Sequence, residues 1–116
     1  MHVATVVLSV VLAAEFAFTG FIKVLDTATA RANAAHLDIS ERASRLIGAA
    51  ELAAVVGLLA GVAIKPLTVV TAGGLVALMI AATGYHLKAR DTGLAVAPAV
   101  ITGLASVALL VLAIVS

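Results

Sequence analysis

The chain has no cysteine and no tryptophan, only two prolines, and few charges for its 116 residues. Without cysteine it has no disulfide, no thiolate metal site and no thiol redox chemistry of its own. Charged residues make up 11% and hydrophobic ones 64%, against about a quarter and roughly half in an ordinary soluble domain. Too few polar side chains remain to cover a water-facing surface. The net charge is +1, so no basic patch points to nucleic acid.

What is present is four long apolar stretches, roughly 3–22, 46–64, 67–86 and 94–115. Each is close to the ~20 residues that a helix needs to cross a ~30 Å hydrocarbon core. Backbone polar groups have no water to bond there, so the expected spanning form is the α-helix. The fold class expected is all-α: an integral membrane four-helix bundle forming a single domain over residues 1–116. The first stretch lacks a basic flank and is longer than a typical signal-peptide core, so it is expected to be a span.

Punctuation supports these limits. Pro66 suits the first position of a helix, where its missing N–H costs nothing, so spans two and three form a hairpin. Asp38 and Glu41 have capping-box spacing ahead of span two. Asp91 or Thr92 can cap span four, and Pro98 predicts a kink or a later start there. Between spans one and two, TATARANAAHL is alanine-rich and predicts a short helix at the membrane interface. Gly57 and Gly61 form a GxxxG step, with Gly73, Ala77 and Ala81 continuing the small residues on span three. Such residues let membrane helices approach closely, either between two chains or, as the short hairpin favours, between spans two and three of one. Span four, with no ionisable residue, is expected to face lipid and serve as scaffold.

Six of the seven Lys and Arg residues, Lys23, Arg31, Arg42, Arg45, Lys88 and Arg90, flank the first and third connections, and Lys65 alone lies on the other side. The positive-inside rule then places both termini outside a bacterial-type cell membrane.

Two glutamates break the apolar pattern, Glu15 in span one and Glu51 in span two. A charged side chain at the bilayer centre costs at least ~2.5 kcal/mol on the mildest scale, so each is expected to be protonated, paired or turned to an interior cavity. Lys23, Glu51 and His86 fall at one end of the bundle. Glu15, Thr19 and Lys23 follow one face of a helix at i, i+4, i+8, with Glu15 about 12 Å from Lys23 along the axis at 1.5 Å per residue. Phe16, Phe18, Phe21 and Tyr85, all the aromatic residues, lie in the same half. That half reads as a site and the other as scaffold.

At this point the residues resemble a family. Gly20-Phe21-Ile22-Lys23 is similar to the G-x-x-K of the DoxX-like membrane proteins. Ile47-Gly48-Ala49-Ala50-Glu51-Leu52, followed by Val56-Gly57-Leu58-Leu59, is similar to their I-G-x-x-E-L…GLL stretch. Met79 to Ala82, His86 and Arg90-Asp91 resemble the close of their third helix. The resemblance spans about residues 10–115 and implies a compact four-helix membrane bundle. It implies less about activity, since the family has no single chemistry: its namesake is linked to a thiosulfate–quinone oxidoreductase, and some members are associated with redox partners. Lys23, Glu51 and His86 match its polar positions. Glu15 rests on the physical argument alone.

Three functions stand against one another. In a membrane enzyme, Glu15, Glu51, His86 and Lys23 do acid–base chemistry on a lipophilic molecule such as an isoprenoid, epoxide, sterol or quinone. One carboxyl, kept neutral by desolvation, is the acid and the other the base. Phe16, Phe18, Thr19 and Tyr85 line its cavity. In a proton-coupled exporter the mid-span Glu15 carries the proton. That pattern resembles the small multidrug resistance transporters, but there is no tryptophan and the signatures of their later helices are absent. In a non-catalytic membrane subunit, Glu51 bonded to Lys23 or His86 fixes helix register, while Lys23 and His86 sit at headgroup level. For His86 and Lys88 this plain reading is preferred. Glu15 is expected to be the most deeply buried of the group. His2 and His36 are expected to be solvated, and with His86 they lack metal-site spacing. No metal and no cofactor is expected. The partners expected are the bilayer and a lipophilic small molecule, with a second copy of the chain or membrane-associated redox proteins as further candidates.

Overall fold

A computed structural model describes residues 3–116. Met1 and His2 lie outside the described residues, and with them the expectation of a solvated His2. The described residues form five helices and no strand: α1 (Val3–Val24), α2 (Ala28–His36), α3 (Glu41–Gly61), α4 (Lys65–Lys88) and α5 (Gly93–Val115). The four long helices are long and apolar enough to cross a membrane. The short α2 sits between the first two of them. Its composition is near neutral, so it forms from alanine propensity and a cap. Thr27 Oγ1 accepts a bond from the Ala30 amide at 3.2 Å.

Three helices at the Lys23 end stop in the same way. Asp26, Asp38 and Arg90 take left-handed φ angles of 53°, 58° and 61°. Around each, the amide of the next residue reaches back five positions: Thr27 to Ile22, Ile39 to Ala34 and Asp91 to His86. These are Schellman caps built on residues other than glycine. The middle one corrects an expectation. Asp38 ends α2 and so cannot open α3. Ser40 opens it instead, accepting from the Ala43 amide at 3.1 Å. Pro66 lies in the first turn of α4 as expected, and α5 starts after Thr92, whose side chain makes no capping bond. Pro98 is accommodated inside α5.

The helices pack in the ring order α1, α3, α4, α5. The α1–α3 and α4–α5 seams are the most extensive, and the α1–α5 seam that closes the ring is the slightest. Leu12, Ala13, Phe16, Leu58, Ala72, Leu75 and Leu109 fill the centre. The GxxxG step joins α3 to α4, but not through the small residues expected. A Cβ on Gly57 would meet Thr71 Oγ1 at 2.2 Å, and one on Gly61 would meet Thr68 Oγ1 at 2.3 Å. Gly73 and Gly74 touch nothing that a Cβ would reach. The threonines lie opposite the glycines because the turn Val62–Ile64 is tight and brings the first turns of α4 back on α3.

Candidate functional site

The Glu51 wall of the site is set by two glycines. Gly48 precedes Glu51 by three residues on the same face of α3. A Cβ on Gly48 would lie 2.6 Å from Lys23 Cβ and 2.9 Å from the Gly20 carbonyl oxygen, and one on Gly20 would lie 3.0 Å from the Gly48 oxygen. Only two bare glycines let the backbones of α1 and α3 cross this closely. The crossing sets Thr19 and Lys23 of α1 over Glu51. Lys23 Nζ donates to Glu51 Oε1. Thr19 Oγ1 donates to Oε2 at 2.5 Å. Glu51 is 2% exposed, and both its oxygens are taken.

Glu15 is held differently. Its neighbour Phe16 takes the inward direction and is buried, which leaves Glu15 one step around the helix, at the rim. It is exposed along an opening rather than enclosed. The expectation that Glu15 is the most deeply buried of the group formed with Glu51, Lys23 and His86 is therefore corrected: that residue is Glu51. Thr102 Oγ1, from α5, donates to Glu15 Oε1 at 2.6 Å. Ser106, one turn along, donates to the Thr102 carbonyl at 2.8 Å.

Both carboxylates line one cavity of about 380 Å³, a size toward the small end of ligand sites. Phe16, Leu78, Met79, Ala82 and Ala99 give it an apolar wall, and Tyr85, Asn33, His36 and His86 stand at its Lys23 end. The lining residues that stay exposed on the long helices, Glu15, Ala81, Tyr85, Ala95 and Pro98, mark its open side. Of the side chains expected to line a cavity, Phe16, Thr19 and Tyr85 do so. Phe18 does not. It is 69% exposed, because two residues along a helix is about 200° around it, away from Phe16.

His86 lies on the lining but does not touch Glu51. Its Nδ1 meets Asp91 Oδ2 at 2.7 Å, and Nε2 of His36 meets Asp91 Oδ1 at the same distance. His36 is thus paired as well as half open to solvent. Hydrogen bonds from His86 and then His36 hold the Asp91 carboxyl below its ordinary value, against the pull of partial burial and with help from charge on either ring. A second cluster anchors the start of α2. Asp26 receives Arg31 Nε at 2.9 Å and lies 3.7 Å from Arg45. Burial raises the Asp26 carboxyl, but bonds with Arg31 and Glu41 and the charges of Arg31 and Arg45 outweigh it, and the net shift is downward. Among the described residues, no three or more His, Asp or Glu side chains are placed to hold a metal.

Sequence reasoning missed Thr102, Asp91 and the pairing of His36. It also assigned α5 to scaffold, whereas α5 supplies Thr102 and part of the cavity wall. The signal for Thr102 was present: two hydroxyls four residues apart on an otherwise apolar helix are natural partners for a polar group on a neighbour. No comparable signal pairs His36 with Asp91, which are 55 positions apart.

A model of the DoxX-like family matches residues 7–115. The chain belongs to the DoxX-like family. That membership and the four apolar helices make it a multi-pass membrane protein. Searches of curated proteins and of solved structures find no match. Within this DoxX-like chain the G-x-x-K and I-G-x-x-E-L stretches meet in space: their glycines, Gly20 and Gly48, make the helix crossing, and their polar ends, Lys23 and Glu51, make the ion pair.

Proposed function

We propose that this DoxX-like protein binds a lipophilic small molecule in the cavity between Glu15 and Glu51 and carries out acid–base chemistry on it, without a cofactor. The observation that carries this reading is a single cavity with an apolar wall and two carboxyl groups, each held by a threonine. The roles divide by bonding. Glu51, with both oxygens occupied by Lys23 and Thr19, is a fixed centre that holds Lys23 in place. Glu15 bonds through one oxygen only, so Oε2 is the atom available to give or take a proton. Glu15 stands on the open side, where a molecule dissolved in the bilayer arrives first. Phe16 and Tyr85 supply apolar and aromatic surface. A cavity of about 380 Å³ suits an isoprenoid, epoxide or quinone-type ring better than a whole sterol.

The test is extraction of bound lipophiles from protein purified in lipid nanodiscs, compared with Glu15→Gln. The amide keeps the shape and the Thr102 bond but cannot transfer a proton at neutral pH. Expected is retention of the bound molecule with conversion reduced at least ~10²-fold, the usual weight of a general acid or base. Conversion unchanged in Glu15→Gln would remove Glu15 from the chemistry.

A second reading has its own observation. The closed Thr19–Glu51–Lys23 bonding fits a purely structural carboxylate, in a membrane subunit that anchors redox partners or a second copy of itself. Under it, purified protein yields no enriched lipophile and Glu15→Gln is silent. In both readings the Lys/Arg bias orients the molecule with both termini outside a bacterial-type cell membrane and the Lys23 end in the cytoplasm. A reporter fused after Ser116 that is active only in the cytoplasm reverses this orientation.

A further inference from the structure

The short helix α2 closes the Lys23 end of the cavity, yet little holds it there. Of its nine residues only Ala30 and Ala34 are buried, so the hydrophobic contribution to its docking is that of two methyl groups. Asn33 and His36 of α2, with Leu37 and Ile39 just after it, line the cavity. The chain turns sharply on both sides of the helix, at Asp26 and Asp38, the two left-handed residues that flank it. The near end is tethered to the bundle by Asp26 and Arg45 of α3, 3.7 Å apart. The far end is tethered by the bond between His36 and Asp91, which lies in the turn joining α4 to α5. His86 occupies the other oxygen of Asp91 and so fixes the carboxylate that His36 grips.

From this we infer that α2 is a gate between the cavity and the aqueous phase, with the His36–Asp91–His86 bridge as its latch. The inference rests on reading the cavity as a ligand site and assigns that site two sides. The open side beside Glu15 and Pro98 admits a molecule from the bilayer. The α2 side admits water, or releases a polar product, only when His36 lets go of Asp91. The joints at Asp26 and Asp38 allow α2 to swing as a unit, since its two ends are where the helix hydrogen bonding already stops. Broken on its own, the His36–Asp91 bond removes the far tether and leaves the four long helices untouched.

The absence of cysteine makes the test direct. Ala82 lines the cavity on α4, and Ala82→Cys places a single thiol there. In membranes, its labelling is followed with a membrane-impermeant, charged maleimide and, separately, with a bilayer-soluble one. The bilayer-soluble reagent is expected to label the thiol whether the latch is whole or broken. The charged reagent is expected to label it slowly with the latch whole and about tenfold faster in His36→Ala, the factor for losing one net hydrogen bond. His36→Gln, whose amide can still donate to Asp91, is expected to restore the slow rate. Ala113→Cys, fully buried at the opposite end of α5, stays unlabelled throughout if the bundle is folded. A charged-reagent rate that is the same with and without His36, or already fast with the latch whole, overturns the gate while leaving the cavity intact. A thiol that neither reagent reaches overturns the cavity reading, and the gate with it.

Discussion

The two ends of the bundle treat buried polar atoms in opposite ways. Toward the Lys23 end they include acidic groups, and these are bonded: Glu51 through both oxygens, Asp91 through both oxygens, Asp26 to Arg31. Toward the Lys65 end they are neutral hydroxyls, and three of them, Thr5 Oγ1, Ser9 Oγ and Thr68 Oγ1, are buried without a partner among the described residues. An unpaired buried hydroxyl costs about 1–3 kcal/mol, and an unpaired charge far more. Polar atoms are tolerated unpaired only where they are cheap. At the Lys65 end small residues serve by shape, as Thr68 does against Gly61. At the Lys23 end polar groups serve by the bonds they make.

The sharpest way to break this comparison is at Glu51. Glu51→Ala strips Lys23 and Thr19 of their acceptor in a closed setting. Losing one partner of a buried pair costs about 3–5 kcal/mol. Lys23 is 27% exposed, so part of its charge finds water and the loss is expected at the lower figure. Glu51→Gln keeps an acceptor for Thr19 and should cost less than Glu51→Ala. Unfolding titrations in mixed detergent micelles measure both. If Glu51→Ala proves as stable as the parent, the ion pair adds nothing and the Lys23 end is no more polar-dependent than the other.

Smaller effects are expected where fit by shape governs. Gly61→Ala drives a methyl against Thr68 Oγ1 at 2.3 Å and the Thr68 amide nitrogen at 2.8 Å. Backbone cannot yield as a side chain can, so a loss of about 1–3 kcal/mol is expected. Thr68→Val removes the unpartnered hydroxyl and keeps the outline, and should be neutral or gain up to about 1 kcal/mol. Gly73→Ala, which meets nothing within 4 Å, is the silent control. The same unfolding titration orders all three, and a Thr68→Val that destabilises as much as Gly61→Ala would give the hydroxyl a polar partner after all.

The same contrast explains how much was legible in the sequence. Four spans, the hairpin at Pro66 and the short helix between spans one and two follow from composition and periodicity, because a bilayer leaves the backbone few choices. The shared end of Lys23, Glu51 and His86 follows from connectivity alone. What did not follow was azimuth. Nothing in the sequence says that Phe16 takes the inward direction and leaves Glu15 at the rim, or that Phe18 points away, because the few polar residues of α1 mark too loose a stripe to set its rotation. Asp38 misled for another reason: an aspartate that ends one helix in a left-handed turn and one that caps the next look alike in sequence. Thr102 was passed over because its spacing with Ser106 is a weak signal until the acid that it meets is known.

The smallest expected effect concerns acid. The Asp91 and Asp26 carboxyls both sit below their ordinary value of 3.8 in the folded chain. A carboxyl whose folded value is depressed binds fewer protons in the folded state than in the unfolded one. Its contribution to stability is whole above the ordinary carboxylate range and drains away as pH falls from there through the lowered folded value. Stability should therefore hold through neutral and mildly acidic pH and fall once the pH drops below 3.8. Both carboxyls lie in turns outside the long apolar helices, so added salt should shrink the effect. Asp91→Asn removes one of the two contributions and should flatten the acid limb without moving the loss at Glu51→Ala, since the two clusters share no hydrogen bond. An acid limb as steep in Asp91→Asn as in the parent would show that the His36–Asp91–His86 bridge is too weak to hold α2. The contrast between a polar, bonded end and an end fitted by shape would then narrow to the Glu51–Lys23 pair.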